Sequence, residues 1–160
     1  MFRDVTELVV PRGIDVGDVL VAFTRLRREN DLLVAALARE CGLHAPDFRA
    51  LSFVRVTSDV TPRSLAEYLS LSLSATTAMI DRLVAAGYAS RSPNPEDGRS
   101  VRLELTRQGA SAVDRASALY TAAFDASVPA GDRQDVAAAF IHIADALAAV
   151  AIKRHSATNP

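Results

Sequence analysis

Between Thr61 and Gly109 the spacing of apolar positions passes from helical to alternating and back to helical, and this stretch organises the chain. Leu65, Ala66 and Leu69 fall on one face after Thr61-Pro62, a cap followed by a proline suited to the first helical turn. They predict a short helix ending near Ser70. Ser72 caps a second helix, in which Leu73, Thr76, Met79, Ile80 and Leu83 turn toward a core. Its other face carries Ser74, Thr77, Ala78 and Asp81, with Arg82 at the edge. Small side chains let a helix approach a groove closely, and Ser and Thr can bond base edges or phosphates. Gly87 stops this helix. Tyr88 to Arg91 then reads as a strand, and Val101, Leu103 and Leu105 alternate with Arg102 and Glu104 as a returning one. Between them lies the polar excursion SPNPEDGR, whose Asp97-Gly98 turn projects Arg99 beyond the body; Thr106 caps the next helix. Helix, turn, helix, strand, loop and strand in that order make a winged helix-turn-helix.

On either side the pattern is helical. Met1 to Pro11 is either a helical turn packed on a partner or a frayed end. Asp15 to Arg39 predicts a long helix with Val16, Val19, Leu20, Phe23, Leu26, Leu33 and Leu37 on its apolar face, broken by Cys41-Gly42. The next helix opens at Leu43-His44-Ala45-Pro46 and turns Phe48, Leu51, Val54 and Val56 inward; Thr57 to Val60 links it to the winged unit and is a candidate short first strand. After the wing, Arg107 to about Ser127 carries Val113, Ala116, Leu119, Tyr120, Ala123 and Phe124 at helical spacing. The last helix, Asp132 to Ile152, is apolar nearly all round, which requires cover on more than one side and so implies a second chain. Lys153 to Pro160 reads as a disordered polar tail. The fold class expected is mainly α with a small β wing. Residues 43–109 form the winged helix-turn-helix lobe, and residues 1–42 and 110–155 the helices of a dimerisation lobe.

Charge adds a tension. The net charge of −1 lacks the basic footprint expected of a nucleic-acid binder, and residues 61–108 hold six arginines against five acids. Placement must therefore do what total charge does not, through Arg63, Arg82, Arg91, Arg99 and Arg102. The lone Cys41 rules out an intrachain disulfide and a cysteine metal cluster, and fits a reducing cytoplasm. The N-terminal segment carries acids inside its apolar run, unlike a signal peptide, and Val136 to Ile152 is shorter than a usual span and holds His142 and Asp145, so no membrane role is expected. His44, His142 and His155 lack metal-ligand or acid/base spacing, and there is no phosphate-cradling loop or nucleophile elbow. No metal, cofactor or enzymatic activity is expected.

In spacing as in residue type, the winged stretch resembles the MarR family of bacterial transcription regulators. The elements that carry the resemblance are Leu65-Ala66 before Leu69, Leu71-Ser72, Ala75 and Thr77, Asp81-Arg82-Leu83, Gly87-Tyr88, Arg91, Asp97 two before Arg99, and Leu105-Thr106 with Gly109. The resemblance implies a homodimer on double-stranded DNA, with the second helix of the unit in the major groove and Arg99 in the adjacent minor groove. The expected operator is an inverted repeat, and the expected action is repression. Ser74, Thr77 and Ala78 are the candidates to face bases. Arg63, Ser64, Ser72, Arg82 and Arg91 are the candidates to hold the backbone, with Asp97 shaping the turn that presents Arg99. Two departures stand out: Gly98 replaces an arginine usual in the family's wing, and His44 replaces a usual threonine cap. The resemblance also implies release by a small aromatic or phenolic effector in a cleft, for which Phe23, His44, Phe48 and Phe53 are candidate lining residues against a plainer reading as packed core. Some relatives sense oxidants through a lone cysteine near the start of the first long helix, but Cys41 falls at its end. The alternative function is a winged-helix protein-interaction module that does not bind DNA.

Overall fold

The computed structural model describes Gly13, residues 15–94 and residues 100–158, with side chains through Arg154. The expectations for Met1 to Pro11, for Asp97, Gly98 and Arg99 in the wing, for the His155 side chain and for the last two residues lie outside what is described. In chain order the elements are α1 (Val16–Glu40), α2 (Ala45–Val56), α3 (Pro62–Leu69), α4 (Leu73–Ala85), β1 (Ala89–Pro93), β2 (Val101–Leu105), α5 (Arg107–Ser127) and α6 (Arg133–Thr158). A 3-10 turn at Ala130–Asp132 precedes α6. The fold is mainly α with a small β wing. Two compact units divide within α5, one of residues 1–113 and one of residues 114–160.

Capping chemistry sets the element boundaries of the first unit. Asp15 caps α1 by accepting from the Asp18 amide at 3.0 Å, while the Asp18 side chain accepts from the Asp15 amide at 3.2 Å. Thr61 and Ser64 make the same reciprocal box at the start of α3, with Pro62 inside the first turn. Ser70 ends α3 in the left-handed region at φ 54°, and Ser72 caps α4 through the Ala75 amide. At the end of α4, Gly87 turns the chain with φ +77°, a conformation glycine adopts without cost.

The core of this unit lies where α1, α2, α3, α4 and the hairpin meet. Leu51, Leu65, Ile80 and Leu83 are fully buried in it, together with Val60 and the Thr76 hydroxyl, which donates to the Ser72 carbonyl. The two strands pair antiparallel with Arg91 opposite Leu103 and Ala89 opposite Leu105. Tyr88 precedes β1, rather than opening it as expected, because its amide donates to the Leu83 carbonyl at 3.0 Å in the turn that closes α4; its hydroxyl donates to the Cys41 carbonyl at 3.0 Å. Thr57 to Val60 forms no strand; its link to the sheet is a 2.7 Å bond from the Leu103 amide to the Val60 carbonyl. Below the hairpin, the Thr106 hydroxyl donates to the Gly87 carbonyl at 2.6 Å and accepts from the Gly109 amide at 3.1 Å, joining the end of α4 to the start of α5.

Six positions expected on apolar faces, in α4, α2 and α1, are exposed instead. Leu73 lies in the first turn of α4 and faces away from the core that Thr76 and Ile80 enter. Val56 ends α2 beyond its packed turns and is 82% exposed. In α1, burial begins only at Val34, so Leu37 and Ala38 pack while Val16, Val19, Leu20 and Leu26 stay exposed. The apolar pattern of α1 is intact, but among the described residues none buries an apolar side chain of its first four turns.

In the second unit, Phe124 and Phe140 meet edge-to-face with ring centroids 6.3 Å apart, and Arg133 pairs with Asp125 at 2.7 Å. These residues frame an apolar depression of about 410 Å³ lined also by Tyr120, Val128 and Val136. Helix α6 presents Ile141, Ile143, Leu147, Val150 and Ile152 to solvent. Ala130–Arg154 is long and apolar enough to cross a membrane by length and composition, longer than the sequence window suggested, and none of it is buried. Helix α6 continues through Thr158, into the segment read from sequence as a tail; Lys153 and Arg154 are good helix formers whose charge suits a helix C-terminus.

Candidate nucleic-acid interface

The second helix of the winged unit, α4, divides cleanly. Thr76, Met79, Ile80 and Leu83 are buried, whereas Ser74, Thr77, Ala78, Asp81 and Arg82 are exposed along the opposite side. Ser74, Ala78 and Arg82 succeed one another at four-residue intervals and therefore share a face. Local bonds fix the hydroxyls of this helix: Ser72 and Ser74 meet at 3.1 Å, and Thr77 donates to the Leu73 carbonyl at 2.9 Å. Each hydroxyl keeps lone pairs, and Thr77 also presents a methyl group. The result is a low, polar, sterically open helix face.

Every candidate arginine described here has an acidic partner within the chain. Arg63 donates to Glu67 one turn along α3 at 3.2 Å. Arg91, on β1, donates to Asp81 of α4 at 2.5 Å and ties the wing to that helix. Arg102 pairs with Asp59 and donates to the Asn94 side chain at 3.0 Å, and Asn94 in turn donates to Ser100 at 2.7 Å, so the base of the wing is braced. Asp59 holds φ 58°, left-handed geometry that aspartate tolerates better than most residues. Arg82 donates to Asp47 of α2 from Nη2 at 2.7 Å and from Nε at 3.4 Å. That hydrogen bond and the Asp47 charge raise the Arg82 guanidinium above its usual pKa, against a lowering by desolvation.

Of the residues singled out from sequence, the structure gathers Ser72, Ser74, Thr77, Ala78 and Arg82 on α4 and joins Arg91 to it through Asp81. Ser64 is committed to the α3 capping box, where its hydroxyl donates to the Thr61 carbonyl and accepts from the Thr61 amide. Asp97 and Arg99 lie outside the described residues. The four candidate effector residues occupy four settings. Phe48 is buried in the core, Phe53 stacks on Tyr68 at 4.0 Å, Phe23 lies under Arg27 with 5.8 Å to its ring centroid, and His44 is an exposed cap residue that makes no side-chain cap bond. Among the described residues no group of three or more His, Cys, Asp or Glu is arranged to hold a metal ion.

Sequence reasoning missed Asp47 and Asp59. Asp47 is an acid inside the packed side of α2, beside Phe48 and Leu51, and such a buried charge requires a partner. That anomaly was visible in the sequence, but the identity of the partner, 35 residues away, was not.

Residues 43–101 match the model of the MarR family. The multiple antibiotic resistance protein MarR of Escherichia coli K12 is 34% identical over 100 residues, covering 60% of this chain and 69% of that protein. Its counterpart in Salmonella typhi is 33% identical over the same length. Among solved structures, the reduced form of Escherichia coli MarR superposes with a TM-score of 0.59 at 27% identity, covering 81% of this chain and 96% of that one. A cysteine-to-serine mutant of the same protein, complexed with operator DNA, superposes with a TM-score of 0.54 at 26% identity over 81% of this chain and 99% of that one. The paired hairpin behind α4, the glycine-threonine joint beneath it and these likenesses have one explanation: the chain belongs to the MarR family and is a winged-helix transcriptional regulator.

Proposed function

We propose that this protein is a cytoplasmic, sequence-specific repressor that binds an inverted-repeat operator as a homodimer and is released by a small aromatic or phenolic effector. The observation that carries the reading is the exposed face of α4, where Ser74, Thr77 and Ala78 stand clear of the body, with Arg82 one turn beyond Ala78 and Arg91 held beside it by Asp81. In this assignment those three residues face base edges in a major groove. Arg63, Arg82 and Arg91 hold phosphates, Ser72 and Ser64 set the ends of the helices that carry them, and Arg99, turned by Asp97-Gly98, enters the minor groove. The DNA complex of Escherichia coli MarR supports a duplex as the partner.

Dimerisation is supported by the apolar side chains left wet on α1, α5 and α6. About 400 Å² of such surface, at about 25 cal/mol per Å², is worth on the order of 10 kcal/mol when covered. A second copy supplies that cover, and twofold symmetry then places two α4 helices one helical turn of DNA apart. Effector release requires a ligand that favours the state in which that spacing is lost, since equal affinity for both states shifts nothing. Phe23 and Phe53, which are half-buried, are the aromatic residues offered to such a ligand.

The competing reading, a protein-interaction module, draws on the same ion pairs: with a net charge of −1, the lobe has little cationic surface that its own acids do not offset. Selection of duplexes from a random library with the purified protein separates the two. An enriched palindrome supports the operator reading, and recovery of no duplex at low ionic strength rejects it.

A further inference from the structure

We propose that Asp47 is a positioning residue for DNA binding: its buried carboxylate grips Arg82 side-on and holds that guanidinium in place for a backbone phosphate. The inference rests on the duplex-binding reading above and extends it to a residue outside the winged unit's exposed face.

Asp47 sits in the first turn of α2 with its side chain 2% exposed, while the side chain of Arg82 is 51% exposed. A carboxylate closed in to that degree cannot exchange its partner for water, so the pair stays formed. Arg82 uses its Nε and Nη2 edge on Asp47. A guanidinium carries five N–H groups in one plane, so two spent on Asp47 leave three along the remaining edges. Half of the Arg82 side chain stays exposed although Asp47 holds one edge of it, and the residue lies one turn beyond Ala78 on the face that carries Ser74.

Two other candidate arginines of the lobe are held differently. Arg63 pairs with a glutamate on its own helix, with both side chains largely exposed, and Arg91 pairs with an exposed Asp81. Each of those pairs has a carboxylate open to water and yields to a phosphate at less cost than the Asp47 pair. The Asp47 pair instead orders a long side chain before a duplex arrives and ties the last turn of α4 to α2. Asp47 need not touch DNA to do this; it acts through Arg82.

The test is a double-mutant cycle on a duplex selected by the wild-type protein, read by fluorescence anisotropy between about 50 and 200 mM salt, with thermal unfolding measured in parallel. Asp47→Asn is expected to weaken binding about tenfold while the protein stays folded, and Arg82→Gln to weaken it by a similar factor and lower the salt slope by about one. The double variant D47N/R82Q is expected to bind no more weakly than R82Q alone, since Asp47 has no other route to the duplex. Multiplying losses, or a changed melting temperature with wild-type affinity for D47N, would mean a purely structural pair and overturn the inference. Tighter binding by D47N would overturn it too, by making Asp47 a competitor of the phosphate. If D47N does not fold, the Arg82 Nε–H resonance of the wild-type protein decides: protection retained when duplex is added supports the grip, and protection lost refutes it. A wild-type protein that binds no duplex sinks the operator reading itself; a wild type that binds beside an unaffected D47N sinks only the role of Asp47.

Discussion

Among the described glycines of the lobe, Gly109 is the one at which an added methyl group does most harm. A Cβ built there would lie 2.0 Å from the Tyr88 carbonyl oxygen, a backbone atom that cannot rotate away. Gly109→Ala is therefore expected to cost about 3 kcal/mol or more, by forcing α5 off the hairpin, and a urea titration followed by circular dichroism measures it. The cap at Thr61 is a milder case. Its hydroxyl accepts from the Ser64 amide at 3.2 Å, and Thr61→Ala should cost about 1 kcal/mol in the same measurement, with α3 still formed by burial of Leu65. Both residues could be picked from the sequence, Thr61 by the proline after it and Gly109 by its distance from Thr106. What could not be read was the reason for Gly109, because the carbonyl it must clear belongs to a residue on the far side of the wing.

At the scale of elements, local signals reached as far as each helix supplied them. The ends of α3 and α4 were legible because Thr61, Ser72 and Gly87 mark them, and the two faces of α4 were legible because period alone separates Thr76 and Ile80 from Ser74 and Ala78. Burial along α1 was not, since periodicity says which residues share a face and not whether anything lies against it; Leu37 packs on the lobe, whereas Val16 and Leu20 await cover. Partnerships across the lobe, Arg82 with Asp47 and Arg102 with Asp59, escaped for the same reason. In α6 the apolar surround was legible, and its consequence can be tested: Leu147→Glu, at a position 54% exposed in the single chain, is expected to yield monomers with helix content retained, as sedimentation velocity would detect. A dimer unchanged in mass would remove α6 from the interface. For the wing, Arg99→Ala is expected to lower duplex affinity several-fold and flatten the salt slope by about one, with the dimer intact. An unaltered slope would remove Arg99 from the contact.

For the whole molecule, the proposed function requires that the tension between a net charge of −1 and a polyanionic partner be resolved by geometry rather than by total charge. In the proposed assembly the acids nearest α4 would orient arginines, and two copies of one modest surface would engage a duplex together where one copy would engage it weakly. Binding that rests on a few ordered guanidinium–phosphate contacts must release counterions, so its dependence on salt reports on the contact itself. The most direct measurement is the affinity of the purified protein for its selected palindromic duplex, titrated from about 50 to 200 mM salt beside a scrambled duplex of equal length. The account predicts that log affinity falls linearly with log salt for both, with the palindrome bound more tightly throughout by two chains per duplex. Equal affinity for the two duplexes, or no binding to either at the lowest salt, would contradict it.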